Sequence, residues 1–125
     1  MATMEAVVSQ SFEAGGDLSA DQFKFVLVAS DGQVDLNTTA NGRVTGVLLN
    51  NPAAAGRAAE VAVSGRVKVK TGAGGLTAGQ LVASTNAGLA VLAAGATTHV
   101  LGRALTTAAA GELVEMQLEY LGVVG

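Results

Sequence analysis

The sequence predicts an all-β protein: a small β-barrel or sandwich of short antiparallel strands over residues 17–125, preceded by an extended N-terminal arm over residues 1–16. Three observations predict it. Glycine- and asparagine-containing turn signals recur about every ten residues with β-branched runs between them, the spacing of an all-β sandwich or barrel. Two longer runs alternate apolar and polar residues with period two, the signature of a strand with one buried face. The alanine-rich pieces that propensity alone would make helical are too short to nucleate by themselves, and each ends at a glycine.

In chain order, Val7, Val8 and Phe12 precede Gly15-Gly16 with no strong hairpin partner in sequence, which reads as an arm that reaches a neighbouring molecule by strand addition. The first residues lack a basic region and a long apolar run, so no signal peptide is expected. Asp17–Gln22 is the one plausible helical turn, with Asp17 or Ser19 as its N-cap. Asp31-Gly32 and Asn41-Gly42 each suit a type I′ hairpin turn, whose central residues must tolerate positive φ. Asn50-Asn51-Pro52 opens a longer connection that closes at Gly56.

From Glu60 to Lys70, Val61, Val63, Val67 and Val69 take one face with Gly65 in their row, and Ala62, Ser64, Arg66, Lys68 and Lys70 take the other. A glycine in mid-strand marks a bulge or a close backbone approach. The glycine cluster from Thr71 to Gly75 reads as a hairpin loop. Turns follow at Asn86-Ala87-Gly88, at Gly95 and from Thr106 to Gly111. From Glu112 to Tyr120 the residues Val114, Met116, Leu118 and Tyr120 share a face, with Glu115, Gln117 and Glu119 opposite.

A weak internal repeat links two of these pieces. Val44-Thr45-Gly46, Ala55-Gly56 and Glu60-Val61-Ala62-Val63 match Val100-Leu101-Gly102, Ala110-Gly111 and Glu115-Met116-Gln117-Leu118. As a true repeat it means two similar hairpin units.

Composition narrows the function. The chain has 24 alanines, 17 glycines, no Trp, no Cys and only 3% aromatic residues. A single domain of this length buries only about two-thirds of its unfolded surface, and small side chains make that core thin. Self-assembly is therefore expected, as a homotrimer whose closed ring hides apolar strand faces. A net charge of −3 and a pI near 4.9 argue against nucleic acid, which needs clustered positive charge. The long uncharged stretch from Thr71 to Gly102 is broken by Gly, Thr, Ser and Asn, so no membrane span is expected. Without cysteine there is no disulfide, thiolate chemistry or Cys-ligated zinc.

Searches for chemistry return little. No nucleophile elbow or P-loop occurs, and Gly72-Ala73-Gly74-Gly75 lacks the last glycine of a dinucleotide fingerprint. The lone His99 has no ligand set or triad around it and reads as a strand-end or surface residue. Glu115 and Glu119 share a strand face about 13 Å apart, too far for a glycosidase pair. Asn37-Thr38-Thr39 is a glycosylation sequon by pattern only. No catalytic residue, metal or cofactor is assigned. The basic row Arg66, Lys68, Lys70 has two readings: pairing with Glu115 and Glu119 on a neighbouring strand or subunit, or docking on an acidic protein surface. With Val7, Val8 and Phe12 it completes the set of candidate partner-binding residues.

The run from Phe12 to Leu118 resembles the small capsid decoration (cement) proteins of tailed bacteriophages. The resemblance lies in an ordered series: Phe12-Glu13-Ala14-Gly15 with Asp17-Leu18-Ser19, Phe25-Val26, Gly46-Val47-Leu48 with Asn50-Asn51-Pro52, Ala55-Gly56 with Ala59-Glu60-Val61-Ala62-Val63-Ser64-Gly65, Gly72-Ala73 with Thr77-Ala78-Gly79, Asn86-Ala87-Gly88, and Leu101-Gly102-Arg103-Ala104-Leu105 leading to Ala110-Gly111-Glu112. It implies a β-rich fold and a homotrimer seated on capsomers of the major capsid protein. It also implies stabilisation of the head from the outer capsid surface of the virion, after synthesis in the host cytoplasm, without catalysis. Arg66 to Lys70 is more basic than that pattern, which leaves the surface contacted open. Two other readings stand beside it. One is the base or binding module of a phage head fibre or adhesin, for which exposed loop aromatics are expected, whereas here loop aromatics are nearly absent. The other is a non-viral β-barrel oligomer.

Overall fold

A computed structural model describes residues 7–95 and 97–124. Among the described residues there are nine strands: β1 Val8–Ala14, β2 Phe25–Val28, β3 Gln33–Leu36, β4 Gly46–Leu48, β5 Ala58–Lys70, β6 Leu81–Ser84, β7 Ala90–Leu92, β8 Thr98–Ala104 and β9 Leu113–Val124. The class is all-β, as the turn spacing and period-two runs predict. The strands hydrogen-bond in the order β1-β3-β2-β4-β5-β9-β8-β6-β7, with β1 also paired to β5. The β1–β5 pairing closes the first five strands into a ring. A second ring, β5-β9-β8-β6-β7, is closed by a parallel bridge from Thr71, just past β5, to Ala90 in β7.

Residues 8–14 of the expected arm are thus paired within their own chain. Gln10 to Glu13 face Val61 to Ala58 in β5, and Glu13 and Ala14 pair in parallel with Gln33 and Val34 in β3. Ala14 is fully buried. Residues 1–6 lie outside the described residues. The pairing steps from Val8↔Ser64 to Ser9↔Ala62, an irregularity beside Gly65, whose φ of 105° fits the bulge its mid-strand position predicts.

Local turn chemistry differs from the sequence expectation in four places. At Asp31-Gly32 the Asp31 carboxylate accepts the Gln33 N–H at 2.9 Å, and only Gly32 has positive φ. The loop is therefore a three-residue type, with Gly32 N–H donating to Ala29 O at 2.9 Å, and not a two-residue type I′ turn. Asn41-Gly42 makes no hairpin, because β4 pairs with β2 and not with β3. Asn41 instead donates its N–H to Ser84 O and accepts the His99 N–H, tying the first ring to the second. The glycine cluster after Thr71 is a crossover, since β5 and β6 are not neighbours. Asp17–Gln22 forms turns and no helix: Asp17 accepts the Ser19 N–H at 2.9 Å. Hydrogen bonds from the Ser19 side chain and backbone hold the Asp17 carboxyl below its usual range.

The two rings are copies. In the first, Gly56 N–H donates to Ala14 O, Phe23 N–H to Leu48 O and Gly32 N–H to Ala29 O; in the second, Gly111 donates to Thr71, Gly79 to Ala104 and Gly88 to Thr85. The core of the first ring, Leu18, Val26, Val34, Leu48, Ala59 and Val61, matches buried Leu76, Val82, Ala90, Ala104, Val114 and Met116 in the second. The repeat legible over 44–63 and 100–118 therefore extends along most of the chain, with the second half of β5 standing where β1 stands in the first ring.

Copied interiors come with divergent exteriors. Ala62, placed by alternation on the solvent face with Arg66, is fully buried, and Phe25, Val47 and Ala62 pack in one cluster with Val67, Leu118 and the second core. The first half of β5 is buried on both faces because the second ring covers its outer side. The matching second-ring positions, Leu81, Arg103 and Gln117, are half-buried or exposed.

Gly46 and Gly102 are the matched close approaches. A Cβ on Gly46 would run into the Ala62 carbonyl oxygen, and one on Gly102 into that of Gln117. Gly46→Ala is expected to lower stability by about 1–3 kcal/mol, as overpacking does. Gly16→Ala, in open space, should move it by less than about 0.5 kcal/mol. Urea denaturation of the two variants checks this.

Candidate functional site

The second half of β5 places the basic row as alternation predicts. Val67 and Val69 are buried, Arg66 is half-buried, and Lys68 and Lys70 are exposed. Register decides what each cation meets. Lys68 lies across from Glu115, Arg66 from Gln117 and Lys70 from Leu113. Arg66 reaches diagonally, and its Nε donates to Glu115 Oε1 at 2.6 Å. Among the described residues neither Lys68, Lys70 nor Glu119 has an ion-pair partner. Of the two readings of the row, cross-strand pairing applies to Arg66 alone.

Val7, Arg66 and Lys68 come together in a hollow of about 510 Å³, whose apolar wall is completed by Phe23 and Leu49. Val7 is 38% exposed there. Val8, also exposed, and Lys70 are not part of its lining, and Phe12 packs half-buried against the core of the first ring. The hollow thus combines hydrocarbon with the Arg66–Glu115 ion pair and with Lys68, which has no ion-pair partner among the described residues.

Phe23 escaped sequence reasoning. Its φ is 66°, left-handed for a bulky residue, and the matching position in the second ring is Gly79, with φ 94°. The fold asks for glycine, and an aromatic stands there at a cost of roughly 1 kcal/mol or more. Extending the internal repeat upstream from Val44 would have exposed this mismatch.

A second surface lies at the end of β9. Pairing with β5 stops at Gly65↔Leu118, while β9 continues along β8 to Val124. Beyond Leu118 its other edge pairs with no strand among the described residues. Tyr120, placed by alternation in the core row, is 45% exposed, and Leu121 and Val123 are exposed beside it. The Tyr120 hydroxyl lies 2.6 Å from His99 Nδ1, the two rings stack at 5.7 Å, and the Arg43 guanidinium sits 4.7 Å from the Tyr120 centroid. The length of β9 beyond its β5 partner was the missing signal.

Other motifs resolve simply. Asn37 of the sequon is 1% exposed, and its amide donates to Thr39 O, Ser84 Oγ and Thr85 O, so it is a buried tie between the rings. Among the described residues no cluster of three or more His, Cys, Asp or Glu could hold a metal, and no helix is long and apolar enough to cross a membrane.

The fold of the chain matches the crystal structure of the N base of the head fibre protein gp8.5 of bacteriophage phi29, with a TM-score of 0.72 over 96% of this chain and 99% of that one. The likeness is one of fold. Sequence identity is 18%, so architecture and not residue identity carries the likeness. No family model matches the chain, and no curated protein matches it significantly.

The Arg66–Glu115 pair is half exposed, so its removal should cost little. Arg66→Ala and Glu115→Ala are each expected to change stability by less than about 1 kcal/mol, with a coupling that shrinks as salt is added. A double-mutant cycle in urea at two ionic strengths measures it.

Proposed function

We propose that this chain is a non-enzymatic structural protein of a tailed-phage head, a homotrimeric base that seats on the outer surface of the major capsid protein in the manner of a head-fibre base. The observation that carries this reading is the end-to-end likeness to the phi29 head-fibre base, which spans nearly the whole of both chains. The surface chemistry suits docking and not catalysis: a basic row outside the core, an apolar hollow beside it, and an ordered aromatic on a projecting strand end. Many weakly held copies on a repeating shell bind by avidity, so exposed charges worth little singly can still decide attachment.

The ordered series from Phe12 to Glu112 supports a second reading, a cement protein that covers the shell without carrying a fibre. Both put the protein in the virion, and they differ in what projects from it. Cryo-EM of particles with and without the protein tests both. Density on the capsomers continuing into a stalk supports the fibre base, and density without a stalk supports the cement role. Absence of density on the head overturns both. The triple variant Arg66→Glu, Lys68→Glu, Lys70→Glu is expected to keep its strand content by circular dichroism and to lose co-sedimentation with heads. Normal decoration at every ionic strength would make the row an ordinary solvated face.

A further inference from the structure

The hollow on β5 and the free end of β9 are complementary surfaces of the same chain. The hollow offers Val7, Phe23 and Leu49 as an apolar wall with Lys68, whose cross-strand neighbour Glu115 is taken by Arg66, so that Lys68 has no ion-pair partner among the described residues. The β9 end offers Glu119, a carboxylate without an ion-pair partner among the described residues, followed by exposed Leu121 and Val123 on a strand whose outer edge beyond Leu118 pairs with no strand among them. An unpaired apolar edge is a template for association unless something covers it.

The two surfaces cannot meet within one molecule. Gly65 lies opposite Leu118, so Glu119 falls at the level of Ser64, about 13 Å along β5 from Lys68. We propose that the hollow of one copy receives the Glu119–Val123 end of β9 from a second copy, with Glu119 on Lys68 and Leu121, which alternation puts on the Glu119 face, against Val7 and Phe23. Two different patches then meet, and such a head-to-tail contact closes into a ring when its rotation allows. This surface rests on the homotrimer of the proposed function. It explains why an aromatic is kept at left-handed Phe23 where the repeat has Gly79: the ring of Phe23 supplies part of the apolar wall.

The chain has no cysteine, so a cross-link reports the contact directly. The double variant Lys68→Cys, Glu119→Cys, oxidised mildly in solution and on heads, is expected to give a covalent closed oligomer, while each single variant gives none. A bridge inside one chain is excluded, because the Cα atoms are farther apart than the roughly 7 Å a disulfide spans. As a second measurement, Lys68→Glu and Glu119→Lys should each weaken self-association by up to about fivefold, and the two together should restore it. Wild-type oligomers in sedimentation, without the cross-link or the charge rescue, would overturn this surface and leave the trimer standing. Wild-type protein that is monomeric both in solution and on the shell would overturn the trimer as well. Loss of head binding in charge-swapped protein that still oligomerises would assign Lys68 to a capsid contact instead.

Discussion

The architecture depends on β5, one strand that serves two closed rings. Its first half completes the first ring against β1 and β4, and its second half opens the second ring against β9. A strand of thirteen residues can do this only if it changes direction partway, and the irregular register beside Gly65 is where it does. Both rings are tied to one continuous backbone, so neither can move without straining the other. Hydrogen bonds from Asn37 to Ser84 and Thr85, from Asn41 to Ser84 and from His99 to Asn41 reinforce the joint from the side. This resolves the problem of a core built from alanine and valine. Each small ring has little to bury, but ring closure pairs most strand edges and packing one ring on the other buries Phe25, Val47 and Ala62 as well.

Duplication explains the fold, and departures from it point to function. Interiors are copied because both rings must fill the same small volume around the same hydrogen bonds. Exteriors are free to differ, and they differ where partners are expected. Phe23 stands at the position of Gly79 and lines a hollow. The second half of β5 carries Arg66 and Lys68, whereas the corresponding end of β9 carries Leu121 and Val123. One strand end is basic and pairs with β9; the other is apolar and among the described residues pairs with β8 alone. The proposed docking on a shell and on a second copy would use this kind of asymmetry, since two identical faces would direct both contacts to the same partner.

The sequence by itself determined the all-β class, the valine and basic faces of β5 beyond Gly65, the buried row Val114, Met116 and Leu118, and half of the internal repeat. These are properties of period two and of turn residues, which act over a few positions and need no knowledge of distant contacts. It also singled out Val7, Arg66 and Lys68. Only the tertiary structure decided that these three meet at one hollow, that Arg66 and not Lys68 takes Glu115, and that residues 8–14 belong to a ring. Pairing between β1 and β5, or between β5 and β9, joins residues some fifty positions apart, and no local pattern records which strand lies alongside which. The same reason hid Phe23 and Tyr120. Their exposure and strain follow from where neighbouring strands stop, and that is set by ring closure and not by the residues themselves.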